Sequence, residues 1–123
     1  MPMPAFNLLL MLAFCWFPVA VLADGTLSTE RKEELETLLY QDCGSCHGMT
    51  LRGGLGPSLP RDRMATFSRE ALAHIILQGI PGSAMPGWKA LISDADARWL
   101  AEHLQTDNPL ETLAAPPRPG EQE

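Results

Sequence analysis

Cysteine is scarce in this 123-residue chain. There are three, Cys15, Cys43 and Cys46, too few for the disulfide framework of a small secreted scaffold. Positive charge is scarce as well: nine Lys and Arg against fifteen Asp and Glu leave a formal charge of −6. That balance excludes the basic surface which nucleic-acid phosphates demand. No segment alternates with a period of two, and no internal repeat is present, so strands and solenoids are not expected. Hydrophobic residues make up 46% of the chain, an ordinary share that argues against wholesale disorder. One compact domain is the most that this length supports, and a domain so small needs some staple beyond its own side chains.

Charge is missing altogether before Asp24. Leu8 to Ala23 is almost purely apolar, with Pro18 near its end, and Val21-Leu22-Ala23 puts small residues where a signal peptidase reads. Residues 1–23 therefore read as a secretory signal cleaved after Ala23, although the first residues lack Lys and Arg. The alternative, an uncleaved anchor, meets a run that is short of the ~20 residues needed to span a bilayer. Phe14 is too bulky for the position before a lipidated Cys15. Cleavage leaves residues 24–123, exported, with Cys43 and Cys46 and every charged residue.

The exported part has legible segments. Thr29 to Tyr40 is helix-like, with Leu35, Leu38 and Leu39 on one face and Ser28 or Thr29 as cap. Residues 48–67 are rich in Gly and Pro and read as loop. A helix over Ser68–Gln78 has Leu72, Ile75 and Ile76 as its stripe and ends at Gly79. Gly79 to Gly87 is a second loop. The last helix starts at Asp94, capped by Ser93 with Asp96 three residues on, and runs to about Leu104 with Ala95, Trp99, Leu100 and Leu104 at helical spacing. After Asn108 the composition turns Pro-rich and acidic, so residues 109–123 read as a disordered tail. The fold class is all-α.

Cys43-Gly44-Ser45-Cys46-His47 matches the C-x-x-C-H pattern of covalent haem attachment. Two thiols three positions apart can add to the vinyl groups on one porphyrin edge, and the adjacent His47 then reaches the iron. A zinc site would want a second cysteine pair, which is absent. A thioredoxin-like dithiol would want a βαβ setting, which is also absent.

A second axial ligand is to be found among Met49, Met64, Met85, His74 and His103. Met49 is too close in sequence to His47 to reach the far face of the ring. Met64 reads as core filler, and His74 and His103 as solvated side chains. Met85 lies in Gly82-Ser83-Ala84-Met85-Pro86-Gly87, where small residues allow close approach and Pro86 biases Met85 to an extended conformation. His47 and Met85 are therefore the expected axial pair. His/Met ligation raises the reduction potential and leaves no open position for substrate, which favours electron transfer over catalysis.

From Leu27 to Gln105 the chain resembles a class I cytochrome c. The resemblance implies N- and C-terminal helices that cross, a middle helix, and long loops wrapped around one haem c. It implies that Tyr40 and Trp99 are the aromatic pair at the crossing. Gly56-Pro57-Ser58-Leu59 is similar to the family's G-P-x-L loop, in which Pro57 would accept a hydrogen bond from His47. Cys46-His47-Gly48, Leu51-Arg52-Gly53-Gly54-Leu55-Gly56-Pro57 and Gly82-Ser83-Ala84-Met85-Pro86-Gly87-Trp88 look like the NirC-type small cytochromes of denitrification. That resemblance implies a monohaem cytochrome domain over residues 24–108, periplasmic and monomeric, that is not an enzyme and does not insert in a membrane once the signal is removed. Trp88 would border the haem. Its partners would be an upstream electron donor and dissimilatory nitrite reductase; the alternative is a redox accessory role in haem d1 formation. A haem enzyme or gas sensor would need the iron position that Met85 fills. The acidic balance, if it steers docking, implies a basic patch on the partner.

Overall fold

The computed structural model describes residues 26–113, which form helices and loops with no strand among them. The signal over residues 1–23 and the tail beyond residue 113 lie outside the described residues. No helix among the described residues is long and apolar enough to cross a membrane.

Ser28 caps the first helix by accepting the Arg31 N–H at 3.2 Å, and α1 runs over Thr29–Thr37. Winding does not stop there. No Gly or Pro interrupts the chain before Gly44, and a π-helical stretch, Leu38–Cys43, carries it into a short α2, Gly44–His47. The boundary expected at Tyr40 is therefore too early. A π turn takes in an extra residue, so the 3.6-residue period used to read the sequence loses its phase there.

The Gly- and Pro-rich stretch that follows contains one helical turn where only loop is expected. This turn, α3 (Arg61–Met64), owes its start to a distant segment: the Arg61 and Asp62 N–H groups donate to the carbonyls of Leu110 and Glu111 at 2.8 and 3.0 Å. These bonds lay residues 110 and 111 on the start of α3. Asn108 and Leu110 are buried, and the Asn108 amide donates to the Leu59 carbonyl at 2.6 Å while its oxygen accepts the Leu110 N–H at 2.9 Å.

Ser68 caps α4 (Arg69–Gln78) through the Ala71 N–H. Ser93 and Asp96 form a reciprocal capping box that opens α5 (Asp94–Thr106). The main packing is α4 against α5, with α1 and α3 laid on α5. Leu35 and Leu39 of the N-terminal helix, Leu72 and Ala73 of α4, and Ala97, Leu100, Ala101 and Leu104 of α5 fill the core with Leu51, Met64 and Ile92. Ala97 and Ala101, four apart on one face and fully buried, permit close approach of the helices. The observed stripes differ in detail from those expected. Ala95 faces solvent, and Ile75 and Ile76 are half-buried.

Two polar contacts tie the terminal helices together. The Arg31 guanidinium donates from Nε and Nη2 to the two Asp96 oxygens at 3.1 and 2.8 Å, a bidentate geometry. It holds the Asp96 carboxyl down at about 2. The second contact corrects the reading of His103 as solvated: it is 6% exposed, at the helix crossing. Its ring stacks on Trp99 at 5.0 Å and meets the Tyr40 ring edge-on at 6.1 Å. Both aromatic residues expected at the crossing therefore contact His103. Burial, with Glu36 and Asp107 nearby, raises the Tyr40 hydroxyl above its ordinary value, so it stays neutral, and it shares a hydrogen bond of 3.0 Å with His103 Nε2.

Candidate metal centre

The π stretch ends at Cys43, and α2 brings Cys46 and His47 round within the next turn. Cys43 and Cys46 are three apart on a helix and so share a face; both are free thiols. Burial, with Asp42 beside it, pushes the Cys43 thiol up to about 11. The Ser45 hydroxyl between them donates to the Asp42 carbonyl at 2.6 Å and lies 3.9 Å from Cys46 Sγ.

After His47 the chain folds back across the motif. Gly48 reverses it with φ 86°. The Gly53 N–H then donates to the His47 carbonyl at 2.7 Å, and the Gly56 N–H to the Cys46 carbonyl at 2.8 Å. A Cβ on Gly56 would lie 3.0 Å from His47 Nδ1 and Cε1, so only glycine lets this loop lie flat on the imidazole. That approach delivers the Pro57 carbonyl to His47 Nδ1 at 2.7 Å. A carbonyl can only accept, so Nδ1 carries the proton and Nε2 keeps the ring's free lone pair.

The loop is anchored at Leu51. This residue is fully buried with φ 58°, a left-handed conformation that a leucine rarely adopts. Its N–H donates to the Gly48 carbonyl at 2.8 Å and its carbonyl accepts the Leu59 N–H at 2.9 Å. Leu59 is the residue held from the other side by Asn108. Sequence reasoning passed over Leu51 and Asn108 as supports of the Pro57 loop. The available signal was Asn108-Pro109 just past a helix end, a pair that makes turns by side-chain hydrogen bonding.

Met85 sits on a separate loop fastened to the end of α4. The N–H groups of Gly79, Trp88 and Lys89 donate to the carbonyls of Ile75, Ile76 and Leu77 at 2.8, 3.1 and 3.2 Å, satisfying the helix's last acceptors. Within the loop, Ile80 donates to the Met85 carbonyl at 3.2 Å, and the Met85 N–H to the Ser83 hydroxyl at 3.2 Å. A Cβ on Gly79 would come within 2.6 Å of the Met85 carbonyl, and one on Gly87 within 2.7 Å of the Leu77 carbonyl. The half-buried Met85 side chain is therefore carried by a backbone that is closely packed on both sides. Trp88 is half-buried and packs against the core. Of the other ligand candidates, Met64 is buried in the core, and Met49 and His74 are exposed.

These donors suit a haem c: two thiols on one helix face, an imidazole with one free nitrogen, and a thioether on an anchored loop. The comparisons with known proteins agree. A family model described as "Cytochrome C oxidase, cbb3-type, subunit III" matches residues 30–104. Cytochrome c55X of Stutzerimonas stutzeri is 45% identical over 92 residues, covering 75% of this chain and 80% of the relative. The chain belongs to the cytochrome c family. A solved c-type cytochrome NirC resembles this cytochrome with a TM-score of 0.64 and 41% identity, covering 70% of this chain and 100% of that one. A further relative, dihydro-heme d1 dehydrogenase of Pseudomonas aeruginosa, is 28% identical over 113 residues, covering 76% of this chain but 23% of its own. This cytochrome is thus NirC-like, and its cofactor is one covalently bound haem c.

Proposed function

We propose that this cytochrome is a periplasmic single-electron carrier, exported by residues 1–23, that donates to dissimilatory nitrite reductase. The observation that carries the reading is the hydrogen bond from His47 Nδ1 to the Pro57 carbonyl, which commits the imidazole to ligation through Nε2. When bound, haem c supplies an iron that changes oxidation state by one electron. Cys43 and Cys46 would hold it as thioethers, which prevents its loss outside the cytoplasm. The Pro57 carbonyl fixes the His47 tautomer and raises its basicity as a ligand. Met85 would offer the iron a soft thioether and leave it no position for substrate. This assigns transfer through the haem edge and not catalysis. The likeness to NirC and to cytochrome c55X supports the carrier role. In a reconstituted assay, the pre-reduced, haem-loaded protein reoxidises on addition of nitrite reductase and nitrite. No reoxidation would remove nitrite reductase as its acceptor.

The likeness to dihydro-heme d1 dehydrogenase favours a second reading, a redox accessory role in haem d1 maturation. Deleting the gene separates the two. Reductase with its full complement of haem d1 but slow turnover in cells supports donation, whereas reductase that lacks haem d1 supports maturation.

A further inference from the structure

The carbonyl that orients the His47 imidazole is itself held from beyond the end of α5. Pro57 lies on a short span pinned on both sides. Before it, the Gly56 N–H is fixed to the Cys46 carbonyl at 2.8 Å, inside the attachment motif. After it, the Leu59 N–H donates to the Leu51 carbonyl at 2.9 Å, and the Leu59 carbonyl takes the Asn108 amide at 2.6 Å. Two residues of chain reach at most ~7 Å, so a shift of Leu59 is passed on to Pro57.

The two holds on Leu59 are unequal. Leu51 keeps its left-handed backbone, φ 58°, against a leucine's own preference, so its grip is only as firm as the packing around it. Asn108 is referenced to the helical core instead. It is fully buried, two residues past the end of α5. Its Nδ2 donates to the Leu59 carbonyl and, at 3.4 Å, to that of Leu104 on α5, while its Oδ1 accepts the Leu110 N–H at 2.9 Å. The Arg61 N–H on the Leu110 carbonyl, at 2.8 Å, closes this strap over the loop.

The bond that the strap serves has no room to shorten. His47 Nδ1 and the Pro57 carbonyl are 2.7 Å apart, at the short end of a range of about 2.7–3.2 Å for N–H···O bonds. Slack in the loop can therefore only lengthen it. A longer bond leaves the ring less basic as a ligand, and a less basic ligand favours ferrous iron over ferric.

We propose that Asn108 is a positioning residue for the iron ligand. Its amide, acting through Leu59, sets the Pro57 carbonyl against His47 Nδ1 and thereby lowers the reduction potential. The proposal rests on iron ligation by His47, part of the carrier reading, and holds whichever protein takes the electron.

The haem-loaded parent and its variants are equilibrated with a redox dye at one ambient potential, and the ferrous-to-ferric ratio is read from the absorption spectrum. Asn108→Ala is expected to raise that ratio several-fold. Asn108→Leu, which fills the buried space without the amide, is expected to raise it too, and keeps the test open where the alanine variant does not fold. Asp96→Asn, which weakens the helix crossing away from the loop, leaves it unchanged. In NMR of the ferrous protein, the His47 Nδ1 proton should exchange with deuterated water several-fold faster in both Asn108 variants. Variants that lose stability in urea but keep the parent's ratio and exchange rate would reduce Asn108 to a structural role and overturn the proposal. A ratio that falls, or one that Asp96→Asn raises equally, would overturn it as well. Failure of the ligand reading looks different: in the ferric parent, His47 ring protons without a hyperfine shift would take His47 off the iron, and the proposal with it.

Discussion

The terminal helices and the ligand-bearing loops of this cytochrome are held by different forces. Where α1 crosses α5, contact is made by side chains: buried leucines and alanines, the Arg31–Asp96 pair, and the Tyr40, His103 and Trp99 rings. The loops that carry Pro57 and Met85 rest mainly on backbone hydrogen bonds and on glycines with no room for a Cβ. The crossing supplies stability that a small domain lacks, and the loops supply geometry. Damage to one region should appear as lost free energy, and damage to the other as altered iron chemistry.

The largest contrast is expected from Met85→Ala. In the haem-loaded protein it should abolish the far-red absorption band of sulfur ligation and lower the reduction potential by on the order of 100 mV. The variant should also bind carbon monoxide, while urea midpoints move comparatively little. Unchanged spectra and potential would remove Met85 from the ligand set. Asn108→Ala joins the two regions, because it leaves the Leu59 carbonyl and the Leu110 N–H without their partner. A loss of about 3 kcal/mol in urea unfolding is expected.

Asp96→Asn should cost about 2 kcal/mol at neutral pH with no change of potential. The sign follows from the depressed carboxyl: with a folded value of about 2 against an ordinary 3.8, its stabilisation is present above pH 4 and is lost as pH falls towards 2. The gap between parent and variant should therefore close over that range in acid titrations followed by circular dichroism. The smallest effect is that of Tyr40→Phe, which removes the hydroxyl from His103 Nε2 and should cost about 1 kcal/mol, again without moving the potential. A potential shift from either crossing variant would dissolve the division of labour between the two regions.

What could be read beforehand follows the same division. Apolar spacing and caps disclose α4 and α5, because Ser68, Ser93 and Asp96 act locally. The C-x-x-C-H motif is local too and names His47 by itself, whereas Pro57 follows only from the resemblance of Gly56-Pro57-Ser58-Leu59 to the family's loop. Residue type alone makes His103 a surface side chain, whereas it is buried. It lies four residues after Trp99 and three after Leu100, on the side of α5 that faces Tyr40, and that spacing was the usable signal. The α3 turn and the docking of residues 108–111 depend on contacts some fifty residues apart in sequence, such as Arg61 with Glu111, and no short window shows them. Leu51 was invisible for another reason. A left-handed leucine goes against its own preference and persists because burial and two backbone hydrogen bonds overrule it.

The widened winding over Leu38–Cys43 uncouples two azimuths. Upstream, the heading of the helix is dictated by how Leu35 meets its neighbours; downstream, the cysteine pair must aim at a porphyrin rim. Each residue of ordinary α-helix advances the direction by ~100°, so a strictly regular coil would let one demand set the other. Removing a single position from this stretch, even an exposed one such as Gln41, would swing the thiols through roughly that angle while the upstream leucines stayed seated. Sequence length between Leu35 and Cys43 is therefore under tighter constraint than the identity of most residues within it.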